Sequence, residues 1–123
     1  MMKPVFAMAV SIISLVAFLQ SCTYDKEMLP PRGCSDTANV SFAASIQPLL
    51  RANCFSCHGN GSSFGDISLE TYDDVRASVV NGRLLGSISH LAGFDAMPDG
   101  ADKLDECSIN AVRIWIDEGA KNN

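Results

Sequence analysis

The segment Cys54-Phe55-Ser56-Cys57-His58 determines how the rest of the chain is interpreted. Its two cysteines stand three positions apart, and a histidine follows the second one directly. Thiols at this spacing can each form a thioether with a vinyl group on one edge of a porphyrin, which places the next residue under the macrocycle. An imidazole nitrogen at that place can bind iron as the proximal ligand. The pattern is therefore typical of covalent c-type haem attachment.

The first 21 residues predict an export signal peptide that is not part of the fold. Lys3 gives a positive start, and the apolar run from Val5 to Leu19 is interrupted only by Ser11 and Ser14. This run is shorter than the about 20 residues that a membrane-spanning helix needs, and it suits the apolar region of a signal peptide.

Leu19-Gln20-Ser21-Cys22 resembles a bacterial lipobox, although Gln20 departs from the usual small or apolar residue. The prediction is cleavage before Cys22 and lipidation of that cysteine. Ordinary secretion with nearby cleavage and an uncleaved anchor are the alternatives, and all three place the domain outside the cytoplasm. Thr23 is not the acidic residue that marks inner-membrane retention in some bacteria, which favours the periplasmic side of the outer membrane.

The cysteine count is informative because disulfides persist in an oxidising compartment. Of the five cysteines, Cys22 is assigned to the lipid and Cys54 and Cys57 to haem, which leaves Cys34 and Cys107. An even remaining pair predicts a disulfide, and closing so long a loop contributes about 4 kcal/mol in the chain-entropy model. Two free thiols are the alternative.

Residues 22–38 predict a tether, because Pro30-Pro31 and Gly33 occur there without apolar periodicity. The folded domain is predicted to cover residues 39–123. Its first helix is expected over 42–53, where Pro48 requires a break or a late start.

Three further helical segments are expected. Thr71-x-x-Asp74 predicts a helix start, and Asn81-Gly82 predicts its end. A short helical turn is expected over 87–91. The last helix is the clearest, with Asp105 as its cap, an apolar stripe that includes Trp115, and a stop at Gly119.

No segment alternates between apolar and polar residues for long, so the sequence predicts an all-α fold. Three to five helices over roughly 85 residues make a small core, to which a buried haem would add apolar mass. The formal net charge of −5 argues against nucleic-acid binding and is compatible with a basic protein partner.

The helix before the attachment motif, the late Met97-Pro98 pair and the amphipathic last helix together resemble class I cytochromes c over about residues 39–120. Within that family, the Asn81-Gly82-Arg83 turn and the Trp115-Ile116 pair are most similar to small membrane-tethered bacterial domains of the planctomycete type. The resemblance implies a small cytochrome c fold around one covalent haem c.

By this resemblance, Cys54 and Cys57 attach the haem, His58 is the proximal iron ligand and Met97 is the distal one. Physical reasoning also favours Met97, because its loop is long enough to reach the other haem face and its thioether is a soft ligand. His90 is the rival sixth ligand, and an open or water-bound iron is a further alternative. Methionine ligation raises the reduction potential relative to more basic ligand pairs.

The resemblance implies a one-electron carrier with redox protein partners and no substrate, rather than an enzyme. The alternative within the haem interpretation is a haem enzyme or a gas or redox sensor with an open or weakly bound sixth position. A structural zinc site is a second alternative, in which Cys34 and Cys107 would join Cys54 and Cys57, or His58 would replace one of them.

Three assignments stay open at this point. Class I cytochromes c usually orient the proximal histidine through a proline carbonyl, yet no proline lies between His58 and Pro98. Another backbone carbonyl must therefore hold the imidazole, and the sequence does not identify it. Arg83 is either a partner for a haem propionate or a solvated side chain. Trp115 packs either against the haem edge or against the first helix.

Overall fold

The computed structural model describes Cys34 and residues 39–123. The predicted signal peptide of residues 1–21, the predicted lipidation site Cys22 and the rest of the predicted tether apart from Cys34 lie outside these described residues. Residues 39–123 contain helices and turns but no strand, which confirms the all-α fold class. The helices are α1 Gln47–Asn53, α2 Phe55–His58, α3 Tyr72–Val80, α4 Arg83–Ile88 and α5 Glu106–Asp117. A 3₁₀ turn, Phe64–Asp66, lies between α2 and α3.

A π-helical turn, Phe42–Ile46, leads directly into α1 and explains how Pro48 is accommodated. The Ser41 hydroxyl caps this turn by accepting the Ala44 N–H at 3.1 Å. Pro48 then occupies one of the first two positions of α1, where a helical N–H has no partner within its own helix. The break predicted around Pro48 is therefore confirmed, in the form of a wider helical turn that precedes the regular helix.

The helix starts at α3 and α5 follow the sequence signals. The Thr71 hydroxyl accepts the Asp74 N–H at 3.2 Å, and the Asp74 carboxylate accepts the Thr71 N–H at 3.1 Å. Asp105 accepts the N–H groups of Cys107 and Ser108, both at 3.0 Å. Hydrogen bonds from Thr71 and Ser108, respectively, hold the pKa of Asp74 and of Asp105 below the usual range.

Helix α4 differs from the expected short turn over 87–91. It runs over Arg83–Ile88 and begins after Gly82, whose φ of 75° is left-handed. Leu84 and Ile88 lie one helical turn apart and are both buried in the core. The glycine at position 86 weakens the sequence signal, because glycine is a poor helix former. That signal is too short and too interrupted for apolar periodicity to reveal the helix.

The core joins the first helical segment to α5. The rings of Phe42 and Trp115 lie 5.6 Å apart between centroids, and Trp115 is only 1% exposed. The indole N–H of Trp115 donates to the Lys121 carbonyl at 2.9 Å. Trp115 therefore packs against the first helical segment, which is the second of its two predicted placements. The remaining buried apolar residues are Val40, Ile46, Leu50, Phe55, Leu69, Val75, Leu84, Ile88, Ile109, Val112 and Ala120.

A disulfide joins Cys34 to Cys107, which lies in the first turn of α5. The two Cα atoms are 5.4 Å apart across a sequence separation of 73. Pairing of these two sulfurs leaves neither thiol free, and it removes both from the zinc site considered above. None of the helices in residues 39–123 has the length and apolar character needed to span a bilayer.

Candidate haem site

The attachment motif forms a single helical turn. Cys54 ends α1 with a φ of −123°, and its carbonyl then accepts the N–H groups of Cys57 and His58 at 3.1 and 2.9 Å. This change of direction starts α2 immediately after α1. The two thiols and the imidazole are thereby held within one turn of helix, as attachment to a single porphyrin requires.

Phe55, between the two cysteines, anchors this turn in the core. Its side chain is 4% exposed, and the Arg51 guanidinium lies 5.1 Å from the ring centroid. Gly59 provides the space for the ring, because a Cβ at that position would lie 2.6 Å from Phe55 Cγ. The glycine that follows His58 is therefore required by close packing.

The two attachment cysteines differ in their surroundings. Cys54 is half-buried and packs against the core, whereas Cys57 is exposed, and neither forms a disulfide. Burial raises the pKa of Cys54 to about 11. As a free thiol, Cys54 is thus neutral at pH 7, as an apolar environment demands.

The imidazole of His58 is oriented by the carbonyl of Ile67. His58 Nδ1 lies 3.0 Å from the Ile67 oxygen, so Nδ1 carries the proton and donates a hydrogen bond to that carbonyl. This tautomer leaves the lone pair on Nε2, which suits metal binding. The His58 carbonyl in turn accepts the Leu69 N–H at 2.7 Å. Residues 67–69 therefore hold both the ring and the main chain of His58, and they supply the carbonyl that the sequence did not identify.

A cavity of about 670 Å³ lies against this turn, within the range of cofactor pockets. Cys54, Cys57, His58 and Met97 all line it. Its apolar wall consists of Phe64, Ile67, Leu69, Leu84, Ile88, Phe94 and Leu104. In the described part of the chain, Arg83 is the single cation that lines this cavity. The donor set and the apolar wall fit a covalently attached haem.

The structure brings Met97, but not His90, to the cavity. Met97 is half-buried there, and its N–H donates to the Ser87 carbonyl at 3.1 Å. His90 is exposed, and its Nε2 lies 3.1 Å from the Met97 carbonyl oxygen. Within residues 39–123 no cluster of three or more His, Cys, Asp or Glu side chains is suited to a metal ion.

Phe94 is a wall residue that the sequence interpretation missed. A Cβ at Gly86 would lie 2.5 Å from this ring, and one at Gly82 would lie 3.7 Å from it. The ring therefore rests on the first turn of α4, over two glycines that are one helical turn apart. Two glycines four positions apart lie on the same face of a helix, and this spacing was the sequence signal that could have predicted a ring packed against α4.

Comparison with known proteins gives one informative similarity. Cytochrome c6 of Cladophora glomerata is 32% identical to this chain over 89 residues, which cover 69% of this chain and 97% of that protein. No protein-family model and no solved structure matches the chain. The similarity therefore covers nearly the whole of a small cytochrome and not merely a segment shared around the attachment motif.

Proposed function

Because this chain belongs to the small class I c-type cytochromes, which bind one covalent haem c and carry electrons, we propose that His58 and Met97 are the two side chains that would hold its haem iron. The observation that supports this assignment is their common position on the cavity wall beside Cys54 and Cys57. When bound, the haem supplies an iron that changes its charge by one electron. With His58 and Met97 both as ligands, the protein itself would hold the iron and leave no position for a substrate.

The protein's own groups have separate roles in this proposal. Cys54 and Cys57 fix the cofactor covalently. The Ile67 carbonyl accepts the hydrogen bond from His58 Nδ1, which leaves Nε2 available to bind the iron. The apolar wall excludes water, which lowers the local dielectric constant. Arg83, on the same wall, provides a positive charge suited to a propionate. A thioether ligand in such an environment favours the reduced state and raises the potential.

The choice of Met97 is supported by composition as well as position. Met97 is the only methionine in residues 39–123, and His90 is the only histidine besides His58. His90 is exposed and already contacts a carbonyl, whereas Met97 lines the cavity itself. The proposal is thus a six-coordinate electron carrier rather than a haem enzyme or sensor with an open site.

Carbon monoxide binding to the reduced protein tests this assignment. The wild-type protein is expected to bind it slowly or not at all, because Met97 must first leave the iron. Met97→Leu keeps the volume but removes the sulfur, and it is expected to bind carbon monoxide at least about tenfold faster. Leu91→Ala, an exposed change in the same loop, is the matched control and should resemble the wild type. Fast, stoichiometric binding by the wild type would contradict the assignment and favour an open site.

We further propose that Cys22 carries a lipid that holds the domain at the periplasmic face of a bacterial outer membrane, where its partners are other redox proteins. The lipobox-like Leu19-Gln20-Ser21-Cys22 supports this placement. The wild-type protein is expected to have the mass of a chain that begins at Cys22 and carries a lipid, whereas Cys22→Ser should lack the lipid mass, with its haem spectrum unchanged. A wild-type mass that includes residues 1–21 would contradict lipid anchoring and favour an uncleaved signal anchor.

A further inference from the structure

The main chain of Met97 is held on both sides, by Ser87 in the last turn of α4 and by His90 just beyond its end. The Met97 N–H donates to the Ser87 carbonyl at 3.1 Å, and the same carbonyl accepts the His90 N–H at 3.1 Å. His90 Nε2 lies 3.1 Å from the Met97 carbonyl oxygen, so its N–H donates a hydrogen bond to that oxygen. The peptide groups flanking Met97 are therefore fixed to α4 by one main-chain and one side-chain hydrogen bond.

The backbone at His90 is unusual for a residue with a side chain. Its φ of 52° lies in the left-handed region, which is unfavourable for any residue with a Cβ. His90 is separated only by Ser89 from the end of α4, whose Leu84 and Ile88 are 5% and 3% exposed. The imidazole is thus presented to Met97 from a helix that is anchored in the core, although the ring itself is exposed to solvent.

We propose that His90 is a positioning residue for Met97, and that its hydrogen bond to the Met97 carbonyl keeps the thioether within reach of the iron. This inference depends on the proposed assignment of Met97 as the distal ligand. A methionine side chain has three rotatable bonds and little shape of its own. What the protein can fix is the position of the methionine main chain. His90 does this without being a ligand itself, since it lies outside the cavity wall.

Two substitutions separate the hydrogen bond from the backbone conformation. His90→Asn retains a residue that tolerates the left-handed region, but its short amide does not reach the place of Nε2. His90→Gln has an amide nitrogen that reaches that place and can donate to the Met97 carbonyl. Because His90 is exposed and asparagine tolerates the left-handed region, His90→Asn should not alter the melting temperature appreciably.

The measurement is the rate at which added imidazole binds to the ferric protein, a step that requires Met97 to leave the iron. His90→Asn is expected to react about fivefold faster than the wild type, which corresponds to the loss of one ordinary hydrogen bond. His90→Gln is expected to restore a rate close to that of the wild type. The far-red absorption band of methionine-ligated ferric haem, recorded on the same samples, should weaken only in His90→Asn.

The outcomes distinguish this inference from the proposed function. If the wild type shows the methionine band and His90→Asn reacts at the wild-type rate, the positioning role is wrong although Met97 remains the ligand. If the wild type lacks the band and Met97→Leu does not change the rate, the assignment of Met97 itself is wrong. If His90→Asn loses the low-spin spectrum while Met97→Leu keeps it, His90 is the ligand and both proposals are overturned.

Discussion

A protein with Cys54→Ser and Cys57→Ser together is expected to contain no covalently attached haem and to lose most of its thermal stability. The thiols are the only groups in the attachment turn that can form thioethers, so a denaturing gel stained for haem should show no band. The apolar wall of the cavity of about 670 Å³ would then face water unless it collapsed. A tightly held group that binds only the folded state stabilises it by about 4 kcal/mol at a thousandfold excess over its Kd. For a domain of this size, that loss corresponds to a drop in Tm of roughly 20 °C.

Single substitutions make this test sharper. Cys54→Ser and Cys57→Ser should each retain one thioether, so that haem remains on the denatured chain while the spectrum and the Tm change modestly. Cys34→Ser with Cys107→Ser is the matched control for the haem stain, because it also removes two sulfurs but leaves the attachment turn intact. A wild-type protein that is colourless and contains zinc, which the first double variant loses, would contradict haem attachment altogether.

The part of the site that the sequence predicted is the part encoded by neighbouring residues. Cys54, Cys57 and His58 lie within one helical turn, so their spacing in the chain almost fixes their spacing in space. The same holds for the caps of α3 and α5, where a side chain binds an N–H two or three positions away. Such short-range geometry depends little on the rest of the fold.

The parts that the sequence did not reveal depend on contacts between distant residues. The Ile67 carbonyl orients His58, and a main-chain oxygen leaves no signature in the sequence. The proline whose carbonyl usually orients the proximal histidine in class I cytochromes c is absent here, and the Ile67 carbonyl takes its role. Helix α4 escaped prediction because it is short and because Gly86 interrupts it. The structure explains the glycine at position 86, because the ring of Phe94 packs where a side chain at that position would lie.

The disulfide is expected to supply a second large share of the stability. Cys34 and Cys107 close a loop across a sequence separation of 73, which corresponds to about 4 kcal/mol in the chain-entropy model. Replacing both by serine should therefore lower the free energy of unfolding by about that amount and lower the Tm by roughly 20 °C. The haem should remain attached, because neither sulfur lies in the attachment turn.

Denaturant unfolding of the haem-containing protein tests the cause as well as the size of this effect. If the disulfide acts mainly by restricting the unfolded chain, its removal also lets that chain expand and expose more surface. The dependence of the unfolding free energy on denaturant should then become steeper in the double variant, while the transition midpoint falls. Wild-type protein treated with a reductant should follow the same curve as the double variant. An equal midpoint for oxidised, reduced and substituted protein, or a wild-type mass heavier by two hydrogens, would show that the two thiols are not joined in solution.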